Sequence, residues 1–165
     1  MAVGMSVHWG CGLCAPESWV NFDCSPTIAL QRVPVFGRVF KRNPYPRFPS
    51  NIKRGNIVSG LPLSSGCADC VYCSHALEHL ALDEFRMALQ ETYRLLKAGG
   101  YFRLVVPDLQ RIAKEYLESE SDEASHVFMK SSYLGIEKKD RRISGKVRAA
   151  LGASKHLWMW DYKSM

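Results

Sequence analysis

Three groups of residues in this 165-residue chain have types and spacings that could do chemistry. The first is Gly10-Cys11-Gly12, followed by a lone carboxylate at Asp23. Glycines in a turn after a first strand let the backbone approach a ligand closely and free amide groups to face it. An acidic residue at the carboxyl end of a second strand is placed to accept hydrogen bonds from two ribose hydroxyls. Taken singly, the glycine pair is also an ordinary tight turn and Asp23 also a cap before Ser25-Pro26, and both alternatives stay open.

The second group is His75-Ala76-Leu77-Glu78-His79, the H-x-x-E-H spacing of inverted zinc peptidases. On a helix, two histidines four apart could hold zinc while the glutamate polarises water. A peptidase needs a third ligand further along and a long helix containing the motif, whereas this one directly follows a strand, so peptidase chemistry is not expected. The third group is the cysteines: Cys11 with Cys14, and Cys67, Cys70 and Cys73 spaced by three. Four could build a structural zinc site. On a strand, however, side chains at i and i+3 point to opposite faces, so Cys70 and Cys73 cannot share one ion. No metal is expected.

These groups sit on elements that the hydrophobic pattern makes legible, above all between Cys67 and Pro107. Asp69 to Cys73 is a short apolar, β-favouring run that predicts a buried strand, with Ser74-His75 as the loop after it. From Leu82 to Ala98, Leu82, Phe85, Leu89, Tyr93 and Leu96 recur at helical spacing, with Asp83 and Glu84 in the first turn and Lys97 in the last. Gly99-Gly100 is expected to stop this helix, and Tyr101 to Val106 to form a second buried strand. Strand, amphipathic helix and strand make a βαβ unit, which predicts an α/β fold with a mostly parallel sheet.

Upstream, Met5 to Trp9 and Trp19 to Phe22 are strand candidates, and Asn56 to Ser59 is a third. Between them Ser25 to Gly55 carries Arg32, Arg38, Lys41, Arg42, Arg47, Lys53 and Arg54 with no acidic residue, and five prolines. So much proline predicts loop, with one helical turn near Ile28 to Arg32. The segment is either an electropositive flap for a phosphorylated substrate or nucleic acid, or a solvated irregular stretch whose aromatics fill the core, and the second is expected. Downstream, Asp108 can cap a helix from Leu109 to about Ser119 that buries Leu109, Ile112, Ala113 and Tyr116. Further helices are expected from Ser125 to Leu134 and from Arg141 to Leu151.

Apolar and charged fractions of 47% and 23% belong to a globular chain rather than a disordered one. No apolar run approaches the roughly 18 residues that span a bilayer, and no basic-then-hydrophobic leader opens the sequence, so a cytoplasmic location and no membrane partner are expected. The six cysteines then default to free thiols.

In order and spacing, Gly10-Cys11-Gly12, Trp19-Val20-Asn21-Phe22-Asp23, Leu61-Pro62-Leu63, Asp69 to Leu80 and Leu95-Leu96-Lys97-Ala98-Gly99-Gly100 resemble a class I S-adenosylmethionine-dependent methyltransferase. More narrowly, they resemble small methyltransferases whose first two strands are joined by a very short loop. The likeness covers Ser6 to Tyr116, and His156 to Tyr162 also looks like a motif of that subgroup. It implies a single three-layer Rossmann-like domain over residues 1–165, with a cofactor-binding core at 5–106 and a helical acceptor-side insert at 107–165. It implies S-adenosylmethionine as cofactor, with Gly10, Cys11 and Gly12 around its methionine part and Asp23 on its ribose. Asn56, Ile57 and Leu61 would lie near the adenine, and Ser74 and His75 near the reacting sulfonium. His75 is the first candidate for a base, ahead of Glu78, His79 and Asp108, although a loop residue that shapes the cofactor pocket is the preferred reading of it.

Departures from the pattern carry their own expectations. Cys14 stands where a third glycine is common, and too few residues follow Gly12 for the first crossover helix. Relatives also continue through another helix and a final antiparallel strand pair beyond the counterpart of Tyr162, so the expectation is either a shortened protein or a partner subunit, as in a homo-dimer, that completes the sheet. The expected function is methyl transfer to a small-molecule or saccharide-like acceptor, with Trp158, Trp160 and Tyr162 either stacking on it or packed in the core. Nucleic acid is not expected as a partner. The alternative is a noncatalytic module that binds a protein or nucleic acid through the basic segment 25–55.

Overall fold

The computed structural model describes residues 4–32, 47–135 and 155–165. Two compact units emerge, one of residues 1–74 with 83–104, the other of residues 75–82 with 105–165.

The first unit is built on a five-stranded sheet of order β3-β2-β1-β4-β5, from β1 (Ser6–Trp9), β2 (Val20–Asp23), β3 (Ile52–Arg54), β4 (Ala68–Ser74) and β5 (Leu96–Val105). Strand β1 runs parallel to β2 and β4, and β2 parallel to β3, as the βαβ pattern predicts. Val7, Phe22 and Val71 on the three central strands are fully buried, and Trp9 stacks on Phe102 with ring centroids 6.1 Å apart. Each such side chain contributes roughly 1.5–3 kcal/mol by leaving water.

The crossover from β1 to β2 uses only residues 10–19 and contains no helix. A parallel return is possible at this length because strands of four residues rise only about 13 Å. Side-chain amides hold the loop in place of helix packing. Asn21, fully buried on β2, donates from Nδ2 to the Pro16 carbonyl at 2.8 Å and to Trp19 at 3.0 Å, and Asn51 donates to Ala15 at 2.9 Å.

The third strand is Ile52–Arg54, not the expected Asn56 to Ser59. Residues 57–59 form a 3-10 turn because Asn56 caps it, Oδ1 accepting from the Val58 amide at 3.0 Å. The expected helical turn is present as α1 (Pro26–Arg32), whose Arg32 guanidinium donates to the Ile52 carbonyl. Phe48 packs with Ala15 on a core cluster of Cys11, Ile28 and Ile52. Phe36, Phe40 and Tyr45, with Arg38, Lys41 and Arg42, lie outside the described residues, as does the helix expected at 141–151.

Helix α2 (Leu82–Leu95) ends three residues before the expected boundary, and β5 begins at once, with Gly99 at φ 78° inside it. Its buried face is Phe85, Ala88, Thr92 and Leu95, whereas Tyr93 is 83% exposed. The expected phase was therefore rotated, because the small Ala88 and Thr92 mark the packed side only weakly in hydropathy. Near the end of α2, Glu91 accepts two bonds from the Arg94 guanidinium, at 2.6 and 2.7 Å, and one from the Leu61 amide at 2.8 Å. Arg94 donates onward to the carbonyls of Leu63 and Leu61 and to Ser65 Oγ, so this pair clamps residues 61–65.

In the second unit Asp108 caps α3 (Leu109–Leu117), its Oδ1 accepting from the amides of Gln110 and Arg111. Of the side chains expected to be buried there, Ile112 is, while Tyr116 is 43% exposed and meets Phe128 of α4 (Ala124–Ser131) at 5.3 Å. Trp160 is buried and its carbonyl accepts from the Leu109 amide at 2.7 Å; Trp158 lies beside it, partly exposed, and Tyr162 is exposed. Among the described residues no helix is long and apolar enough to cross a membrane.

The Arg94 guanidinium holds the Glu91 carboxyl below its ordinary value of 4.5, helped by the Leu61 amide and opposed by burial. A depressed folded-state pKa means that the stabilisation is complete above the unfolded value and is lost as pH falls through the folded one. Glu91→Gln should therefore lower the free energy of urea unfolding by about 1 kcal/mol at pH 7, allowing for solvent screening, and the difference from wild type should shrink steadily below pH 4.5. A pH-independent difference would mean that packing, not charge, is what the substitution removes.

Candidate active site

Where β1 ends, the chain bends through Gly10 at φ 62° and Gly12 at φ 53°, a left-handed conformation that side chains resist. The Cys11 amide still donates to the Phe22 carbonyl at 3.1 Å, extending the β1–β2 ladder, and Cys14 closes a turn onto the Cys11 carbonyl at 2.9 Å. Among the described residues, nothing lies within 4 Å of the position where a Gly12 side chain would begin, so the bend is open on that side.

Asp23, at the carboxyl end of β2, uses both of its oxygens. Oδ2 accepts from the Gly12 amide at 2.8 Å, and Oδ1 accepts from the Ser25 amide at 2.7 Å. The bend and the carboxylate thus converge, and the cap before Pro26 is formed as well. A carboxylate has about four lone-pair positions, so each oxygen keeps one for a hydroxyl donor. Four parallel strands, β1 to β4, end on this side, and the next residues of the expected set follow from them. Asn56 comes two residues after β3, with its Oδ1 engaged by the turn it caps; Ile57 and Leu61 are buried. Ser74 closes β4.

One group beside the bend escapes sequence reading. His8 is 3% exposed on β1, its ring 4.9 Å from that of Tyr72, and burial holds its imidazole below the ordinary value despite the Asp23 carboxylate. It stays neutral, so it adds no positive charge to compete for Asp23. Cys11 is also buried, and burial pushes its thiol up to about 12, reinforced by the Asp23 charge. None of the six cysteines is in a disulfide.

The second unit gathers the H-x-x-E-H residues differently from the motif's usual geometry. His75 takes a left-handed backbone, φ 51°, with its amide on the Val105 carbonyl at 2.9 Å. Its Nδ1 lies 3.2 Å from Oε1 of Glu78, and its side chain is 62% exposed. Glu78 is 1% exposed, on a 3-10 turn of Leu77–His79 rather than a helix. His156, whose place here no local spacing could have flagged, comes from the distant tail: its Nε2 is 3.9 Å from Glu78 Oε1 and its ring meets that of His79 at 5.0 Å. Burial holds the His156 imidazole below the ordinary value, with Glu78 and a backbone hydrogen bond at Ser132 opposing the shift. The Glu78 carbonyl accepts from the amides of Leu157 and Trp158 at 2.7 and 3.2 Å, which latches the tail to the turn.

A family model described as "Methyltransferase domain" matches residues 7–104, more than half of the chain. Among solved structures, the chain is similar to the PH0226 protein from Pyrococcus horikoshii OT3, with 16% identity and a TM-score of 0.47 over 72% of this chain and 56% of that one. A protein from Thermotoga maritima, described as a SAM-dependent methyltransferase and possible histamine N-methyltransferase, is 20% identical with a TM-score of 0.46, over 80% of this chain and 65% of that one. The YcgJ protein of Bacillus is 18% identical with a TM-score of 0.45, over 92% of this chain and 73% of that one. The chain thus spans less than two thirds of the length of the first two. No curated protein matches it.

The contrast between buried Cys11 and exposed Cys14 can be read directly. Iodoacetamide at pH 8 should alkylate Cys14 about 100-fold faster than Cys11, because only a thiolate attacks and Cys11 holds its proton. Equal rates by peptide mass mapping would mean that the bend opens in solution.

Proposed function

We propose, because the chain belongs to the methyltransferase-domain family, that it moves a methyl group from S-adenosylmethionine to a small-molecule or saccharide-like acceptor. One observation carries this reading. At the ends of parallel strands an open left-handed glycine bend and a carboxylate are tied together at 2.8 Å, and both keep capacity for a ligand. That arrangement fits a nucleoside with an extended polar tail: amides of the bend face the tail, and Asp23 accepts from two vicinal hydroxyls. When bound, S-adenosylmethionine supplies a methyl group already activated by its sulfonium.

The protein's share is then positional. Gly10, Cys11 and Gly12 admit close backbone approach, and Asp23 fixes the ribose. Asn56, Ile57 and Leu61 border the base, and Ser74 closes the set at the end of β4. His75 serves as general base for a hydroxyl acceptor: Glu78 Oε1 accepts from Nδ1, which leaves the Nε2 lone pair outward on an exposed ring. Deprotonating the hydroxyl as it attacks is worth roughly 100-fold or more in rate.

Calorimetric titration with S-adenosylmethionine should give a dissociation constant of about 1–100 µM. Asp23→Ala should weaken it about 30-fold while leaving a cooperative melt, two hydrogen bonds being worth roughly 2 kcal/mol. Undiminished binding by that variant would overturn the placement of the ribose, and no binding by the wild type would favour the noncatalytic module. Transfer of a labelled methyl group to a panel of hydroxylated small molecules and saccharides tests the chemistry. His75→Gln should slow turnover about 100-fold with cofactor affinity unchanged; an unchanged rate assigns His75 to shaping the pocket alone.

A further inference from the structure

We propose that Glu78, His79 and His156 form a binding site for a divalent transition-metal ion, with zinc the best match. One donor atom from each residue lies within 4.8 Å of the other two, and two of the three side chains are buried. Two imidazoles and one carboxylate are the donor set of three-ligand zinc sites, which leave a fourth position for water or a substrate oxygen. The same set disfavours magnesium and calcium, which take oxygen ligands.

Two observations beyond the clustering point to a ligand. Oε2 of Glu78 is buried and has no hydrogen-bond partner among the described residues. The carboxyl as a whole is 1% exposed, and among the described residues its ion-pair partners are imidazoles, His75 at 3.2 Å and His156 at 3.9 Å. A carboxylate so far from water needs positive charge beside it, and a metal ion bound through Oε2 supplies both the charge and the missing partner. His79 is the second case. Its Nδ1 lies 3.1 Å from the Lys155 carbonyl, which fixes the proton on Nδ1 and leaves Nε2 as the lone-pair nitrogen. A backbone carbonyl behind a histidine is the usual support for a ligating ring.

The backbone presets the assembly. The Glu78 carbonyl holds the amides of Leu157 and Trp158, so the tail arrives with His156 beside the turn whatever its side chains do. Zinc bonds of about 2.0–2.1 Å put tetrahedral donors about 3.3 Å apart, so closing a 4.8 Å set asks for side-chain rotations of roughly 1 Å and no backbone shift. The arrangement is not that of an inverted zinc peptidase. There the two motif histidines bind and the glutamate polarises water, whereas here His75 is exposed on a left-handed residue and Glu78 is itself a donor. The site uses second-unit residues alone and stands whether or not the transferase reading holds.

Full-length protein, stripped with a chelator and titrated with cobalt(II) alone, tests it. One equivalent should bind with visible absorption of a four- or five-coordinate ion, and zinc should displace it. His156→Ala and His79→Ala should each weaken binding about 30-fold. His79 is only half-buried, so its variant stays informative if His156→Ala fails to fold. His126→Ala, which changes an exposed ring paired with Glu123, should bind as wild type does. No binding at roughly 100 µM cobalt, or binding that survives both histidine changes but is lost in Cys11→Ser or Cys14→Ser, would overturn the site.

Discussion

The first two strands are parallel and yet separated by residues 10–19 alone, and much of the first unit follows from that constraint. With no room for a covering helix, the connection must be tied down by hydrogen bonds. Buried Asn21 does this from the strand itself, turning a polar side chain in the sheet's interior into the anchor for the carbonyls of Pro16 and Trp19. The same economy brings the Gly12 amide onto Asp23, so the bend and the carboxylate form one rigid corner. A longer crossover would leave their separation to packing; the short one fixes it by covalent reach.

The second unit has a different centre. Glu78 receives His75 and His156 through its carboxyl and the tail through its carbonyl, so one residue on a three-residue turn joins segments far apart in the chain. Such a hub is costly in apolar surroundings unless each polar atom is satisfied. Its cost is a reason to expect function there, just as the open side of the bend at Gly12 is in the first unit.

Where one side chain's type dictated local geometry, the sequence was a good guide. The strand–helix–strand alternation through β4, α2 and β5, the Asp108 cap and thiols outside any disulfide could all be read from it. The phase of α2 could not, since Ala88 and Thr92 pack tightly without being strongly hydrophobic. Nor could β3, where one apolar residue and two exposed cations pair at the sheet's edge with β2. The site divides the same way. Gly12 and Asp23 announced themselves through turn chemistry and a strand end, whereas His156 was legible just as the start of a tail motif, and its place beside Glu78 comes from tertiary contact.

The tail latch also sets an order of assembly. His79 and Lys155 meet across 76 positions, so a chain emerging from the ribosome presents the turn of Leu77–His79 long before its companions exist. Contacts of such separation form late, after the entropy of the intervening loop has been surrendered. Until residues 155–158 are synthesised, Glu78 lacks both the His156 ring beside its carboxyl and the Leu157 and Trp158 amides on its carbonyl.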